Sequence, residues 1–162
     1  MWSRSRSSRA AERRRGGWFA LLCLLAAGVV SASEPVLRVG LSAAPQSLDP
    51  RFATDAASAR LCRLLFATPV DFDAHFLPVP SLLGWEAVSP TRYRFTLRGE
   101  PTFSDGRALR AADVAATYRA VLDPATASPH RGSLLNIAAI EVRDERTLDF
   151  VLRRPDPLFP GR

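Results

Sequence analysis

From Tyr93 to Arg98 the chain alternates: Tyr93, Phe95 and Leu97 fall on one side of an extended backbone, and Arg94, Thr96 and Arg98 fall on the other. Strand side chains point to opposite faces with a period of two, so this run fits a half-buried sheet and little else. Ser104-Asp105-Gly106 follows as a turn signal, with glycine free to take a positive φ. Ala111 to Leu122 then reads as a helix, with Val114, Tyr118, Val121 and Leu122 on one stripe and Asp123-Pro124 as its stop. Aromatic strand, tight turn and amphipathic helix make a sheet-plus-helix unit. Within it Asp105 is suited to accept from turn amides, and Asp113 to sit at the positive end of the helix.

The remaining segments are short and mixed. Val36-Leu37-Arg38-Val39-Gly40-Leu41 alternates and reads as a strand, ended by Ser42-Ala43-Ala44-Pro45. Gln46-Ser47-Leu48-Asp49-Pro50 is a loop, because Asp-Pro holds its first residue away from helix. Thr54 or Asp55 can cap a helix reaching about Phe66, whose apolar face would carry Leu61, Leu64 and Leu65. Prolines 69, 78, 80 and 90 break the next stretch into loops, with one short strand from Pro69 to Phe72. A short helical piece is expected over Leu134 to Ala139. Ile140-Glu141-Val142 and Thr147 to Leu152 are expected to pair as a hairpin across Arg143 to Arg146. The end, Arg153 to Arg162, shows no terminating logic. Such an order of short elements argues α+β.

The leader decides how the charge is read. All 22 basic residues are arginine, and Arg4, Arg6, Arg9, Arg13, Arg14 and Arg15 precede an apolar run from Trp18 to Val30. Small residues follow at Ser31-Ala32-Ser33, which is the order of a secretory signal, with cleavage expected after Ala32 or Ser33. The apolar run is shorter than the ~20 residues a membrane-spanning helix needs; an uncleaved N-terminal anchor is the competing reading. Beyond residue 33 the arginines outnumber the acids by one, so nearly all of the formal charge of +6 belongs to the leader and does not argue for nucleic acid. An exported, periplasmic product is expected. Its only cysteine would be Cys62, which excludes an internal disulfide or a paired-cysteine metal site and reads as a small buried hydrophobe.

Catalytic patterns do not assemble. His75 and His130 are the only histidines and have no metal-ligand spacing, Ser104 has Thr102 where a nucleophile elbow needs its first glycine, and no two carboxylates are singled out as an acid/base pair. No enzyme activity, metal or cofactor is expected.

Three blocks in order carry a resemblance: Tyr93-Arg94-Phe95-Thr96-Leu97-Arg98, Phe103-Ser104-Asp105-Gly106 and Ala112-Asp113-Val114. Together they resemble the signature of extracellular solute-binding protein family 5, the dipeptide, oligopeptide and some nickel-complex receptors of ABC importers. Trp85-Glu86 fits the family's tryptophan before this hairpin. The opening strand with Gln46 to Pro50 is similar to its N-terminus, and Asp123-Pro124 to Ser128-Pro129 resembles the loop after its helix. One departure is Arg110, which stands where the family often has a Thr or Ser cap.

The resemblance implies the start of a two-lobed periplasmic-binding-protein fold, mostly its inserted accessory α+β domain. Residues 1–33 would be the signal peptide, 34–48 the first strand of lobe I, 49–159 the accessory domain and 160–162 the start of the return to lobe I. Family members are considerably longer, so the second lobe and most of the pocket are expected outside this chain, which reads as an N-terminal fragment. Residues closing the first strand lie beside ligand in the family, which makes Ser42, Ala43, Ala44 and Pro45 the ligand-binding candidates; a plain strand end is the other reading of them. The implied partners are a peptide-like or other small solute and an inner-membrane ABC permease, with the receptor a monomer. A self-contained secreted interaction or structural domain is the alternative.

Overall fold

The computed structural model describes residues 38–162. In chain order these form α1 (Ala56–Leu65), β1 (Val70–Phe72), β2 (Pro78–Pro80), β3 (Leu83–Ser89), β4 (Arg92–Leu97), α2 (Ala111–Leu122), α3 (Arg131–Leu134), β5 (Ile137–Val142) and β6 (Thr147–Leu152), with 3-10 turns at Pro124–Thr126 and Phe159–Gly161. Four strands make one antiparallel sheet in the order β3-β4-β6-β5, and β1 pairs with β2 in a separate two-stranded ribbon. The mixed α+β architecture is as the residue pattern implies.

The central strands follow the alternation that first marked the chain. Tyr93, Phe95 and Leu97 of β4 are buried beside Leu148, Phe150 and Leu152 of β6, with Leu83 of β3 and Ile137 of β5 completing the apolar face. Helix α2 covers that face with Ala111, Val114, Ala115 and Val121, and Tyr118 meets Phe150 edge-on at 4.9 Å between ring centroids. Phe95 packs edge-on to Phe150 at 5.2 Å, an arrangement that sets the positive edge of one ring against the negative face of the other. Burial in this hydrophobic setting pushes the Tyr118 phenol up to about 12.

The signature residues hold local structure. Gly106 takes φ +84° in its turn, where Asp105 Oδ1 accepts from the Arg107 amide at 2.9 Å. Asp113 Oδ2 accepts from the Arg110 amide at 2.9 Å, so the carboxylate three residues inside α2 supplies the cap that the Arg110 side chain cannot. Arg110 reaches Glu145 instead, at 2.7 Å.

Five expectations need correction. Over its described part, Arg38–Leu41, the expected first strand is unpaired: no partner strand lies alongside among the described residues, and Val39 is 68% exposed. The rest of that strand and the whole leader lie outside the described residues. Helix α1 faces inward through Ser58 and Cys62, leaving Leu64 79% exposed with Leu65 and Phe66 also outside, so its expected apolar face is turned away from the core. β3 forms where loops were expected; by register Leu83, Trp85 and Ala87 share one face, but Ala87 is exposed and Gly84 interrupts the pattern in an outer strand. β5 begins at Ile137, so the helical piece is confined to α3, upstream of its expected place. Finally, the tail ends in a plug. Phe159 is buried against Tyr93 and Phe150, and the Tyr93 hydroxyl donates to the Asp156 carbonyl at 3.0 Å.

Candidate functional site

Ser42, Ala43 and Ala44 are exposed and Pro45 is half-buried, so the segment presents backbone groups and small side chains and no charge. The backbone immediately after Pro45 is fastened. The amides of Gln46 and Ser47 donate to Ser58 Oγ at 3.0 and 3.1 Å, and Ser58 is fully buried. Ser58 Oγ donates in turn to Asp55, whose other carboxylate oxygen caps α1 by accepting from the Ser58 amide at 2.9 Å. The hydrogen bonds from Ser58 hold the Asp55 carboxyl below its ordinary range.

Two further side chains grip the same stretch from the loop after α2. Ser128 Oγ donates to the Arg51 carbonyl at 2.7 Å, and His130 Nε2 lies 3.1 Å from the Ala53 carbonyl. Ala127 takes φ +52° just before, and Asp123 Oδ1 accepts from the Ala125 amide, so the turn that stops α2 also aims Ser128. Between these points Arg51 clasps Asp49 with Nε at 3.0 Å and a terminal nitrogen at 2.6 Å. The sequence marked Asp55 as a cap and His130 as one of two histidines without a role. It gave no sign of Ser58 or Ser128, because a serine that braces a distant backbone looks like any other serine. His75 is exposed.

The sheet face away from α2 carries the strongest charge cluster. Asp149 of β6 is fully buried, with Arg94 Nε at 2.9 Å from one oxygen and Arg92 at 3.0 Å from the other. Arg92 also holds Glu141 at 2.7 Å, and Arg94 lies 3.8 Å from Glu86. Register explains the cluster, since Arg94 sits opposite Asp149 and Asp149 opposite Glu141 across three neighbouring strands. The hydrogen bond from Arg94, then that from Arg92, keeps the Asp149 carboxyl below its ordinary value.

A carboxylate held ionised on both oxygens is set for structure rather than proton transfer. Because its folded value is depressed, its contribution to stability is complete above the ordinary carboxylate range and is lost as pH falls through the lower folded value. Asp149→Ala is therefore expected to cost about 2–3 kcal/mol at pH 7, less than a fully buried pair because both arginines are about a third exposed. Urea denaturation should show the gap between wild type and variant narrowing at pH 3; an equal gap at both pH values would contradict the assignment.

Elsewhere, a cleft of about 630 Å³ is lined by Arg153, Arg154 and Asn136 among others. Asn136 is already spent on the Arg154 backbone in both directions, at 3.1 and 3.2 Å. None of the four candidate residues lines it. Among the described residues no three His, Cys, Asp or Glu side chains stand close enough to share a metal ion.

Residues 78–162, from β2 to the tail, match the family described as bacterial extracellular solute-binding proteins, family 5 Middle. Over 147 residues the chain is 31% identical to the probable deoxycholate-binding periplasmic protein YgiS of Escherichia coli K12, covering 79% of this chain and 28% of that protein. It is 29% identical over 163 residues to the periplasmic oligopeptide-binding protein OppA of the same organism, covering 88% of this chain and 30% of OppA. Among solved structures, the pheromone receptor PrgZ superposes with a TM-score of 0.68 at 27% identity, over 72% of this chain and 27% of PrgZ. The murein tripeptide binding protein MppA of Escherichia coli gives 0.66 at 26% identity, over 71% of this chain and 26% of MppA. The chain thus spans little more than a quarter of the length of these relatives.

Proposed function

Since the chain belongs to the bacterial extracellular solute-binding proteins, family 5, we propose that it serves an ABC importer as the component that captures a peptide or similar small solute outside the cytoplasmic membrane and passes it to the permease. The observation that carries this reading is the family match over residues 78–162, which takes in the whole four-stranded sheet and α2. Proteins of this family bind solutes and are not enzymes. Relatives named for deoxycholate and for oligopeptides support a small amphipathic or peptide-like ligand class without choosing between them.

The proposed organisation is a signal peptide at 1–33, the first strand of lobe I at 34–48, an accessory domain at 49–159 and the return to lobe I from 160. Ser42, Ala43, Ala44 and Pro45 are the proposed ligand edge. They offer backbone hydrogen bonds, which suit a peptide main chain and leave side-chain selection to other parts of the pocket.

Native mass spectrometry of the protein recovered from its own cells tests both halves of the proposal. The expected polypeptide begins near Ser33 or Glu34 and gains a mass increment from at least one solute in a panel of peptides and bile acids. Recovery from membranes with Met1 or Trp2 retained would contradict export. An unshifted native mass across the panel would contradict solute capture.

A further inference from the structure

We infer that Ser58 is a positioning residue for the ligand edge, its buried hydroxyl fixing where Ser42 to Pro45 stand relative to α1. The inference rests on the proposed reading of that edge. A serine hydroxyl has one proton to donate and two lone pairs to accept with, and here all three are used: one bond to Asp55 and one each from the amides of Gln46 and Ser47. A buried helical serine needs only one partner to be satisfied, and Asp55 provides it. The two upstream amides, 12 and 11 residues away, are therefore an additional commitment. Gln46 is exposed, so water could serve its amide equally well; the protein hydroxyl binds it in a fixed place instead.

Direction matters as much as number. The two clamped amides come directly after Pro45, so the clamp acts on the first peptide units beyond the edge. Ser128 and His130 hold the same strip further on, at the carbonyls of Arg51 and Ala53. The connection from the edge into α1 is thus gripped at its backbone by three side chains from two parts of the fold. Side-chain substitutions along 46–53 would leave that grip in place, whereas loss of the Ser58 hydroxyl removes its end nearest the edge.

Hydrogen exchange on the chain tests the clamp without any ligand. In the wild type the amides of Gln46 and Ser47 are expected to exchange well below free-chain rates although both lie in irregular backbone; free-chain rates there would overturn the inference whether or not any variant folds. In Ser58→Ala these two amides are expected to exchange roughly tenfold faster or more, with Phe95 and Phe150 unchanged. Equal acceleration of the sheet amides would make Ser58 a general stability residue and overturn the positioning role.

A second arm uses the protein as its cells make it, titrated with a solute from the panel that the wild type binds. Ser58→Ala is expected to bind roughly tenfold more weakly at an unchanged denaturation midpoint. Loosened amides with unchanged affinity would overturn the link to the ligand edge and leave solute capture standing. Failure of the wild type to bind any solute would instead count against the proposed function itself.

Discussion

Phe95→Ala is expected to destabilise the chain by about 3–5 kcal/mol, the cost of deleting a large buried aromatic side chain and leaving a cavity. Phe95 is 4% exposed and stands between rings on three sides: Phe150 at 5.2 Å, Phe159 at 6.2 Å and Trp85 at 6.3 Å. Those neighbours come from β6, the C-terminal turn and β3, so no single element can shift to fill the space. Its neighbour Thr96 points to the other face and is exposed, so Thr96→Ala should change stability by no more than about 0.5 kcal/mol. Equilibrium urea denaturation of both variants separates them. Equal, small effects would show that the faces of β4 are wrongly assigned.

That contrast rests on a pattern visible in the sequence itself. β4 and β6 were legible because their large apolar residues alternate without interruption, and α2 because its stripe, its stop at Asp123-Pro124 and its acidic first turn agree. β3 was hidden by a glycine, an alanine and the nearby Pro90, none of which marks an outer strand for what it is. The facing of α1 was misread for a physical reason: Leu61, Leu64 and Leu65 are the apolar choice, yet the helix is held through the polar Ser58 and the small Cys62. The tail was unreadable because Phe159 gains its place only from Tyr93 and Phe150, which strand pairing and the final turn bring beside it.

Legibility of the candidate site divides in the same way. Ser42 to Pro45 came from resemblance, since four small residues carry no chemical signature of their own. The parts that fix their continuation, Ser58 Oγ, Ser128 Oγ and His130 Nε2, act on backbone groups across long separations, and no local pattern encodes such a contact. Asp149 was likewise unmarked, because its burial depends on arginines that only strand register brings beside it.

The second large effect concerns binding, and it is all or none. Receptors that close two lobes on a solute draw affinity from enclosing it on both sides, while the chain spans little more than a quarter of its relatives and offers one proposed edge. Its surface also carries Leu64, Leu65 and Phe66 on and beside α1 with Phe72, Phe76 and Leu77 on and beside the ribbon, all exposed. Apolar exposure of this kind favours association over solubility, and so does the stretch Arg38–Leu41, which has no partner strand among the described residues. The segment from Glu34 to Arg162 is therefore expected to self-associate and to capture no peptide on its own, whereas the same segment within a chain of its relatives' full length should bind.

Isothermal titration calorimetry of the segment Glu34 to Arg162 against a mixed library of di- and oligopeptides tests this directly. No heat of binding is expected from the segment, and saturable heat is expected from the segment carried within a chain of its relatives' length. Micromolar binding by the segment alone would contradict the division of the ligand site between lobes and would make this unit a binding domain complete in itself.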